Sequence, residues 1–336
     1  MNFTLTPFIY STLTPFVPSP MKIHTFLTDT ENQSLNFDTS DLAELDRALT
    51  SCSRLPQCEI RHHFDDTTFP DEATDADFVL TWKFESQWYK RFSHLKGVFT
   101  PAAGDDWVAA DPSGKVSVTN GTFHGPVLAE SLLSAILFMN HRMPSMIRNF
   151  QARQWDRNLQ TGSRLLSTQT ILIIGMGHIG MHCAQLMKPL VKQVLGVRRS
   201  AVPTEQFEIY SIERLPMLLP IADHVVLLLP GGSETNRFMN RDRLCLMQPG
   251  AYIYNFGRGN SLVAADLMPC LNRLGGAFLD VTEDEPLPAT SPLWQKKNVF
   301  ITPHSSCMYK DYTGLYIQEV VQHLSQLKLP GANLLI

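Results

Sequence analysis

The sequence predicts an α/β protein with two parallel-sheet domains, and three observations support this fold class. The chain has 336 residues, whereas a typical domain has about 150. Apolar strand patterns alternate with amphipathic helical patterns along most of it. One strand core, Ile-Leu-Ile-Ile at residues 171–174, is fully apolar, which is typical of a central strand in a parallel sheet. We therefore expect doubly wound sheets with helices on both faces.

The composition excludes several functional classes. Hydrophobic residues make up 44% of the chain and charged residues 18%, which is typical of a globular protein. The net charge of −4 provides no basic excess for nucleic acid, and no apolar run approaches the ~18 residues of a membrane span. The six cysteines show no CxxC pair and no histidine at zinc spacing, so no metal site is expected. We expect a cytoplasmic protein.

Residues 1–20 differ from the rest of the chain because they contain four prolines and no charged residue. A secretory signal would need a basic start and a continuous apolar core, and a transit peptide would be rich in arginine. We therefore expect a disordered extension here.

A small α/β unit of roughly a hundred residues is predicted after this segment. Residues 21–27 alternate like a first strand, and residues 40–49 have leucines at helical spacing after a Ser40/Asp41 cap. Three further strands are predicted at residues 78–82, 95–100 and 116–119.

The second unit begins with a long amphipathic helix predicted at residues 125–143 and continued by the polar stretch 148–157. A strand is predicted at 167–174. Further strands are predicted at 194–197, 225–229, 251–255, 276–280 and 299–302, and helices at 180–189, 212–219, 240–247 and 264–273. This alternation predicts a second parallel, doubly wound sheet.

A glycine-rich segment, Gly175-Met176-Gly177-His178-Ile179-Gly180, follows the apolar strand and opens a helix. In that position the first glycine permits a tight turn, the second lets the backbone approach a pyrophosphate, and the third allows close packing of helix and strand. The helix N-terminus supplies N–H donors and positive potential. The segment therefore predicts a Rossmann-like dinucleotide site.

The next strand ends in Arg198-Arg199-Ser200 rather than in an acidic residue. An acidic side chain at the Arg198 position would bind the ribose 2′-hydroxyl of NAD. A guanidinium can instead pair with a 2′-phosphate through two hydrogen bonds. We expect NADP to be preferred, with NAD possible; the alternative is that both arginines are solvated loop charges.

Three later strands end in polar segments: Asn255-Phe256-Gly257-Arg258-Gly259, residues 279–288 and residues 301–306. Ligands of open α/β sheets bind at the carboxyl ends of the strands. The pattern therefore brings Arg258, a carboxylate and His304 to the same sheet edge as the cofactor.

Together with the glycine segment, these three pieces resemble the D-isomer-specific 2-hydroxyacid dehydrogenases. The similarity runs from about residue 21 to the end and is most specific at residues 125–306. Gly104-Asp105-Asp106 resembles the family's Gly-x-Asp substrate loop, and Val127-Leu128-Ala129-Glu130 resembles its Val-Ala-Glu helix start. Residues 78–82 and 280–304 are similar to the short glyoxylate/hydroxypyruvate reductases.

Two positions depart from the family pattern. Arg198 replaces the acidic residue, and Ser131 stands where a histidine is common.

The resemblance implies a catalytic role for three residues. Arg258 would bind the carboxylate of a 2-oxo acid and polarise its ketone. His304 would donate the proton to the carbonyl oxygen as hydride arrives, and Glu285 would hold the imidazole and favour its charged form. Glu283 is the competing carboxylate for that last role.

The resemblance also implies binding residues. Asp280 would receive the nicotinamide carboxamide, and the backbone N–H groups of Ala103, Gly104 and Asp105 would hold the substrate carboxylate. Asp106 is expected to be structural. The remaining cofactor contacts would come from the ends of two strands, namely Leu229, Pro230, Phe256 and Gly257.

The implied layout is a cofactor domain, residues 123–304, inserted into a smaller substrate domain, residues 21–122 and 305–336, within a homodimer. The implied reaction is NAD(P)H-dependent reduction of a small 2-oxo acid, of glyoxylate or hydroxypyruvate type, to the D-2-hydroxy acid. Two alternatives remain: a phosphoglycerate- or phosphoerythronate-type dehydrogenase, or a non-catalytic nicotinamide sensor like the family's corepressors.

Overall fold

The computed structural model describes residues 19–28, 36–200 and 204–327. It contains two separate parallel sheets, one of five strands and one of seven. Two doubly wound parallel sheets were the expected fold class, and this prediction is confirmed. A disordered extension was expected at residues 1–20, and residues 1–18 of it lie outside the described residues.

The five-stranded sheet comes first in the chain and has the order β2-β1-β3-β4-β5. Its strands are β1 Met21–Phe26, β2 Cys58–His62, β3 Phe78–Thr81, β4 Gly97–Thr100 and β5 Ser117–Asn120. Two helices accompany it, α1 Thr39–Ser51 and α2 Phe69–Glu72. Asp38 caps α1 and forms a capping box with Asp41, so the cap predicted at Ser40/Asp41 was wrong because Asp38 already satisfies the first free N–H groups.

The seven-stranded sheet has the order β12-β11-β10-β9-β6-β7-β8. Its strands are β6 Thr170–Ile174, β7 Gln193–Arg198, β8 Glu208–Ser211, β9 His224–Leu227, β10 Tyr252–Asn255, β11 Gly276–Leu279 and β12 Val299–Ile301. The helices are α3 His124–Asn140, α4 Met143–Gln151, α5 His178–Met187, α6 Leu215–Leu218, α7 Arg241–Leu246 and α8 Ala264–Leu267. One apolar core on α3 and α5 covers one face, and a second on α6 to α8 covers the other.

The last helix, α9 Tyr312–Gln326, returns to the five-stranded sheet. Tyr316 and Val320 are buried in the same apolar core as Leu45 and Phe99. The Tyr316 hydroxyl donates to the Phe99 carbonyl at 3.2 Å. We therefore propose that residues 21–122 and 305–336 form one domain and that residues 123–304 are inserted between them; residues 29–35 and 328–336 of this division lie outside the described residues.

Several elements differ from the sequence prediction. The strands β2 and β8 were not predicted, because few of their residues are buried and their apolar pattern is weak. The long helix ends at Asn140 and does not continue through the polar stretch, because Arg142 adopts a left-handed φ of 56° and α4 starts anew. The helix predicted at 264–273 ends at Leu267 and passes into a 3₁₀ turn that contains Pro269, since proline has no N–H to continue the helix.

Throughout the described residues, we find no helix that combines the length and apolarity of a membrane span.

Candidate active site

A cavity of about 230 Å³ lies between the carboxyl edges of the two sheets. The five-stranded sheet contributes its wall through Trp82, which follows β3, and through the loop after β4, which contains Ala103 and Gly104. The seven-stranded sheet contributes Arg258 and His304. Residues from both sheets therefore line one cavity.

The glycine segment joins β6 to α5 at this edge. Gly175 has a φ of 107°, and a Cβ there would lie 2.4 Å from the Leu228 carbonyl oxygen. A Cβ on Gly180 would lie 2.4 Å from the Gly175 oxygen, whereas a Cβ on Gly177 would meet nothing within 4 Å. No side chain caps the first turn of α5. The segment thus combines a tight turn, open space and free N–H donors, which fits a dinucleotide pyrophosphate.

Of the other residues expected at the cofactor, some line the cavity and some have their side chains elsewhere. Five line the cavity, namely Ile179, Leu229, Pro230, Phe256 and Gly257, although Leu229 also packs against the sheet core. Met176 does not face it, because its side chain is buried against Gly196. The His178 ring donates from Nε2 to the Thr122 carbonyl at 3.0 Å, a contact with the segment that joins the two sheets.

The basic end of β7 is exposed to solvent. Within the described ranges, the Arg198 guanidinium has no hydrogen-bond or ion-pair partner. Arg199 forms an ion pair with Glu234, and Ser200 is exposed beside it. Arg198 is thus the guanidinium of this pair that is free to bind a phosphate, whereas Arg199 is engaged.

Arg258 follows β10 and reaches across the cleft to the other sheet. Its Nε and Nη2 donate to the Asp106 carboxylate at 2.8 and 3.0 Å, and its Nη1 donates to the Gly257 carbonyl at 3.1 Å. Burial lowers the pKa of Arg258, but the hydrogen bond and charge of Asp106 raise it further, so the net pKa lies above its usual range. The guanidinium therefore stays charged and held in place.

His304 and Glu285 form a hydrogen-bonded pair. The two atoms, Nδ1 of His304 and Oε2 of Glu285, are 2.8 Å apart, whereas the described contacts include none between Glu283 and the ring. Partial burial raises the pKa of the Glu285 carboxyl, but the hydrogen bond and charge of His304 outweigh it and lower the net pKa. His304 also adopts a left-handed φ of 48°, a strained conformation that is concentrated at functional sites.

Asp280 holds the turn that carries His304. Its carboxylate accepts hydrogen bonds from the Thr302 hydroxyl at 2.7 Å and from the backbone N–H groups of Ser305 and Ser306 at 3.0 and 3.2 Å. The His304 N–H donates to the Asp280 carbonyl at 2.8 Å. Sequence reasoning assigned Asp280 to the cofactor and missed this positioning contact, for which the Thr302 hydroxyl was the only side-chain signal among these three donors.

Ser131, the second departure from the family pattern, lies on α3 beneath the same turn. Its hydroxyl donates to the Ser306 carbonyl at 2.7 Å. The residue thus ties the helix to the segment that follows His304.

An aromatic wall lines the cavity, and two of its members, His124 and Tyr312, were missed by sequence reasoning. Trp82 stacks on Tyr312 at 6.2 Å and packs against Trp107 at 5.9 Å. His124 donates to the Gly121 carbonyl through Nδ1, and its Nε2 lies 3.1 Å from the Tyr312 hydroxyl. Burial lowers the pKa of His124 to about 4. No sequence motif marks these residues, because they come from three distant parts of the chain.

No group of three or more histidine, cysteine or acidic side chains that could hold a metal ion occurs at residues 19–28, 36–200 or 204–327.

The comparisons with known proteins agree with this geometry. A model of the D-isomer specific 2-hydroxyacid dehydrogenase NAD binding domain matches residues 133–306. The glyoxylate/hydroxypyruvate reductase A of Serratia proteamaculans is 29% identical over 263 residues, which cover 75% of this chain and 82% of that protein. The human glyoxylate reductase/hydroxypyruvate reductase is 31% identical over 222 residues, covering 63% of this chain and 67% of its own.

A solved structure shares the fold. The D-isomer specific 2-hydroxyacid dehydrogenase of Xanthobacter autotrophicus Py2, in complex with NADPH and MES, has a TM-score of 0.74 at 26% identity and covers 91% of this chain and 95% of its own. The family model spans more than half of the present sequence. The chain therefore belongs to the D-isomer-specific 2-hydroxyacid dehydrogenases and is an NAD(P)-dependent oxidoreductase.

Proposed function

We propose that this protein reduces a small 2-oxo acid of the glyoxylate or hydroxypyruvate type to the D-2-hydroxy acid, with NADPH as the preferred reductant. The observation that carries the proposal is the His304–Glu285 hydrogen bond at the wall of a cavity that Arg258 also lines. A proton-transferring imidazole beside a guanidinium suits a substrate with a carboxylate next to a ketone. The names of the Serratia and human relatives support the same substrate class.

In the proposed reaction, His304 is the acid and base. Bound NADPH would supply the hydride that adds to the carbonyl carbon. His304 donates a proton from Nε2 to the carbonyl oxygen and removes it in the reverse direction, while Glu285 accepts the Nδ1 hydrogen bond and so fixes the ring. Arg258 binds the carboxylate and polarises the ketone.

The remaining contacts follow from the loops at the two sheet edges. The backbone N–H groups of Ala103, Gly104 and Asp105 would hold the substrate carboxylate from the five-stranded sheet. Asp280 would receive the nicotinamide carboxamide in addition to holding the His304 turn. The glycine segment would hold the pyrophosphate at the start of α5.

The central test compares two alanine variants. Arg258→Ala and His304→Ala should each lose nearly all reductase activity, by roughly 10³-fold, because acid–base catalysis and carboxylate binding are removed. NADPH binding, followed by cofactor fluorescence, should stay at the wild-type level. A His304→Ala variant that keeps most of its rate would contradict the assignment.

A panel of 2-oxo acids, with and without a phosphate group, decides between the alternatives. Highest kcat/KM on glyoxylate or hydroxypyruvate supports the proposal. Highest kcat/KM on a phosphorylated substrate would favour a phosphoglycerate- or phosphoerythronate-type enzyme. Tight NADPH binding without turnover of any 2-oxo acid would favour the nicotinamide sensor.

We propose NADP as the preferred cofactor because the Arg198 guanidinium is exposed at the end of β7 without a described partner. Arg198→Ala should raise the KM for NADPH by about tenfold, since one charge-assisted pair with the 2′-phosphate is lost. The KM for NADH should change little, and the exposed Arg54→Ala serves as the matched control. A wild-type preference for NADH would contradict this part.

We also propose a cytoplasmic homodimer. The support is a set of exposed apolar side chains on and after α4, Phe150, Trp155 and Leu165, since such patches are typical of interfaces. The unpaired cysteine pattern is typical of a reducing compartment. A mass of one chain in light scattering would contradict the homodimer. A tagged chain found in another compartment would contradict the cytoplasmic location.

A further inference from the structure

We propose that Asp106 is a positioning residue: its carboxylate, carried by the five-stranded sheet, holds the Arg258 guanidinium in the orientation that receives the substrate. This inference rests on the proposed function, in which Arg258 binds the 2-oxo acid. From the sequence, Asp106 was expected to be structural only. The structure gives it a specific partner in the cavity wall.

The contact joins the two sheets. Asp106 lies in the loop after β4, and Arg258 lies 152 positions later in the chain, in the loop after β10. Both carboxylate oxygens are used, Oδ2 by Nε and Oδ1 by Nη2. A two-point contact of this kind fixes the plane of a guanidinium, which a single hydrogen bond does not.

The hydrogen bonds leave a defined number of donors free. A guanidinium has five N–H groups. Asp106 accepts two of them and the Gly257 carbonyl accepts a third. The two that remain can serve a substrate carboxylate oxygen and the adjacent keto oxygen. The contact with Asp106 thus determines which N–H groups of Arg258 are free to bind a 2-oxo acid.

Asp106 also keeps two carboxylate contacts apart within the site. Two carboxylates compete for Arg258, because the charge of Glu285 also acts on this guanidinium. With Asp106 in place, Arg258 pairs across the cleft and Glu285 bonds His304. Without it, the charge of Glu285 would still attract the guanidinium, which is only 25% exposed, and a contact between the two would come at the expense of the His304 hydrogen bond.

Gly104 packs directly against this ion pair. A Cβ built on Gly104 would lie 2.3 Å from Nη2 of Arg258 and 2.4 Å from Oδ1 of Asp106. The backbone proposed to hold the substrate carboxylate therefore touches both members of the pair. Positioning of Arg258 and placement of the substrate loop are coupled by this contact.

The test uses Asp106→Asn, which keeps the shape but replaces one acceptor oxygen with an NH₂ group. The KM for the best 2-oxo acid of the panel should rise by about tenfold or more, because the guanidinium loses its two-point anchor. NADPH affinity and the thermal unfolding midpoint should stay close to wild type. Asp106→Glu, which keeps the charge, should recover part of the loss.

Asp71→Asn is the matched control. Asp71 forms an exposed ion pair with Arg91 at 2.5 Å in the same domain, outside the cavity. The same chemical change there removes an aspartate–arginine pair without touching the site, so its KM should equal that of the wild type.

A double-mutant cycle distinguishes positioning from a general structural role. The readout is the binding of oxamate, an unreactive 2-oxo acid analogue, to the NADPH complex. Asp106→Asn should weaken oxamate binding in the wild-type background and add no further loss in the Arg258→Ala background, since it acts through Arg258. Equal losses in both backgrounds would overturn the proposal.

Two further outcomes would also overturn it. An unchanged KM in Asp106→Asn would show that Arg258 needs no anchor. A lower KM would show that Asp106 competes with the substrate for Arg258. The proposed function fails by a different result, namely wild-type reductase activity in Arg258→Ala. If Arg258→Ala loses activity while Asp106→Asn behaves like the wild type, only the positioning role of Asp106 is contradicted.

Discussion

The carboxyl edges of the two sheets face the same cavity but contribute different chemistry. The seven-stranded sheet presents charged side chains, Arg258 with the Glu285–His304 pair. The five-stranded sheet presents the backbone of the Ala103–Gly104 loop and the aromatic wall around Trp82. One edge therefore acts through charge and the other through shape, and Asp106 is the charged contact by which the second edge controls the first.

This difference explains why the site residues of one edge are easier to recognise from the sequence than those of the other. Charged residues that directly follow a strand form short motifs, so Arg258 and His304 can be found from sequence. Backbone donors and aromatic walls have no chemical pattern of their own, because any residue type supplies an N–H and aromatic residues are common in cores. The loop that contains Gly104 was assigned only through the family resemblance. Substitutions at each edge test whether charge and shape are divided in this way.

The largest expected effect is on the charged edge. Glu285→Gln should lower kcat by about 10²-fold, because the His304 ring loses the carboxylate that orients it at Nδ1. Steady-state assays with NADPH and the best 2-oxo acid measure it. Glu283→Gln is the matched control, since Glu283 has no described contact with the ring; a larger loss in Glu283→Gln would reverse the two roles.

The next effect tests the edge that acts through shape. Gly104→Ala places a methyl group against Arg258 and Asp106, so the loop must shift and kcat/KM for the 2-oxo acid should fall by about tenfold. NADPH binding should not change. Wild-type kcat/KM in this variant would show that the close approach has no functional role.

The two sheets should behave alike in their interiors. Burial lowers the pKa of His24, in β1 of the five-stranded sheet, and of His224, in β9 of the seven-stranded sheet, to about 4 in both cases. His124 at the junction behaves the same way. The unfolded chain binds these protons near pH 6.5, so stability falls as the pH drops from about 6.5 towards 4, by about 2 kcal/mol per histidine at pH 5.

Urea unfolding at pH 7 and pH 5 measures this loss. His224→Gln should reduce the pH dependence by about a third, since one of three groups no longer titrates. The exposed His94→Gln is the control and should leave it unchanged. Equal free energies of unfolding at the two pH values would contradict the neutral, buried state of these rings.

The smallest effect concerns the cofactor end of the charged edge. Glu234 pairs with Arg199 on the surface, and Glu234→Gln should free that arginine for the 2′-phosphate. Exposed ion pairs contribute about 0.2–1 kcal/mol, so the KM for NADPH should fall by no more than about fivefold. An equal fall in the KM for NADH would contradict a role at the 2′-phosphate.

Much of the fold could be predicted because its signals are local. The apolar core of β6 and the glycine segment that follows it predicted the cofactor sheet, and the sheet is confirmed. The break at Arg142 could not be predicted from the apolar pattern, since no glycine marks the left-handed backbone at this position. Short, half-buried strands such as β2 were missed because their side chains do not alternate clearly.

The sequence by itself determined which residues carry charge at the ends of successive strands, because in a parallel sheet those ends must meet at one edge. That principle was sufficient to bring Arg258, a carboxylate and His304 into one hypothesis, and the family resemblance implied that the carboxylate is Glu285. Only the tertiary structure decided that Glu285 rather than Glu283 bonds the ring, and that Asp106 reaches Arg258 across 152 positions. Such contacts depend on how two sheets pack against each other, and the order of residues along one strand does not contain that information.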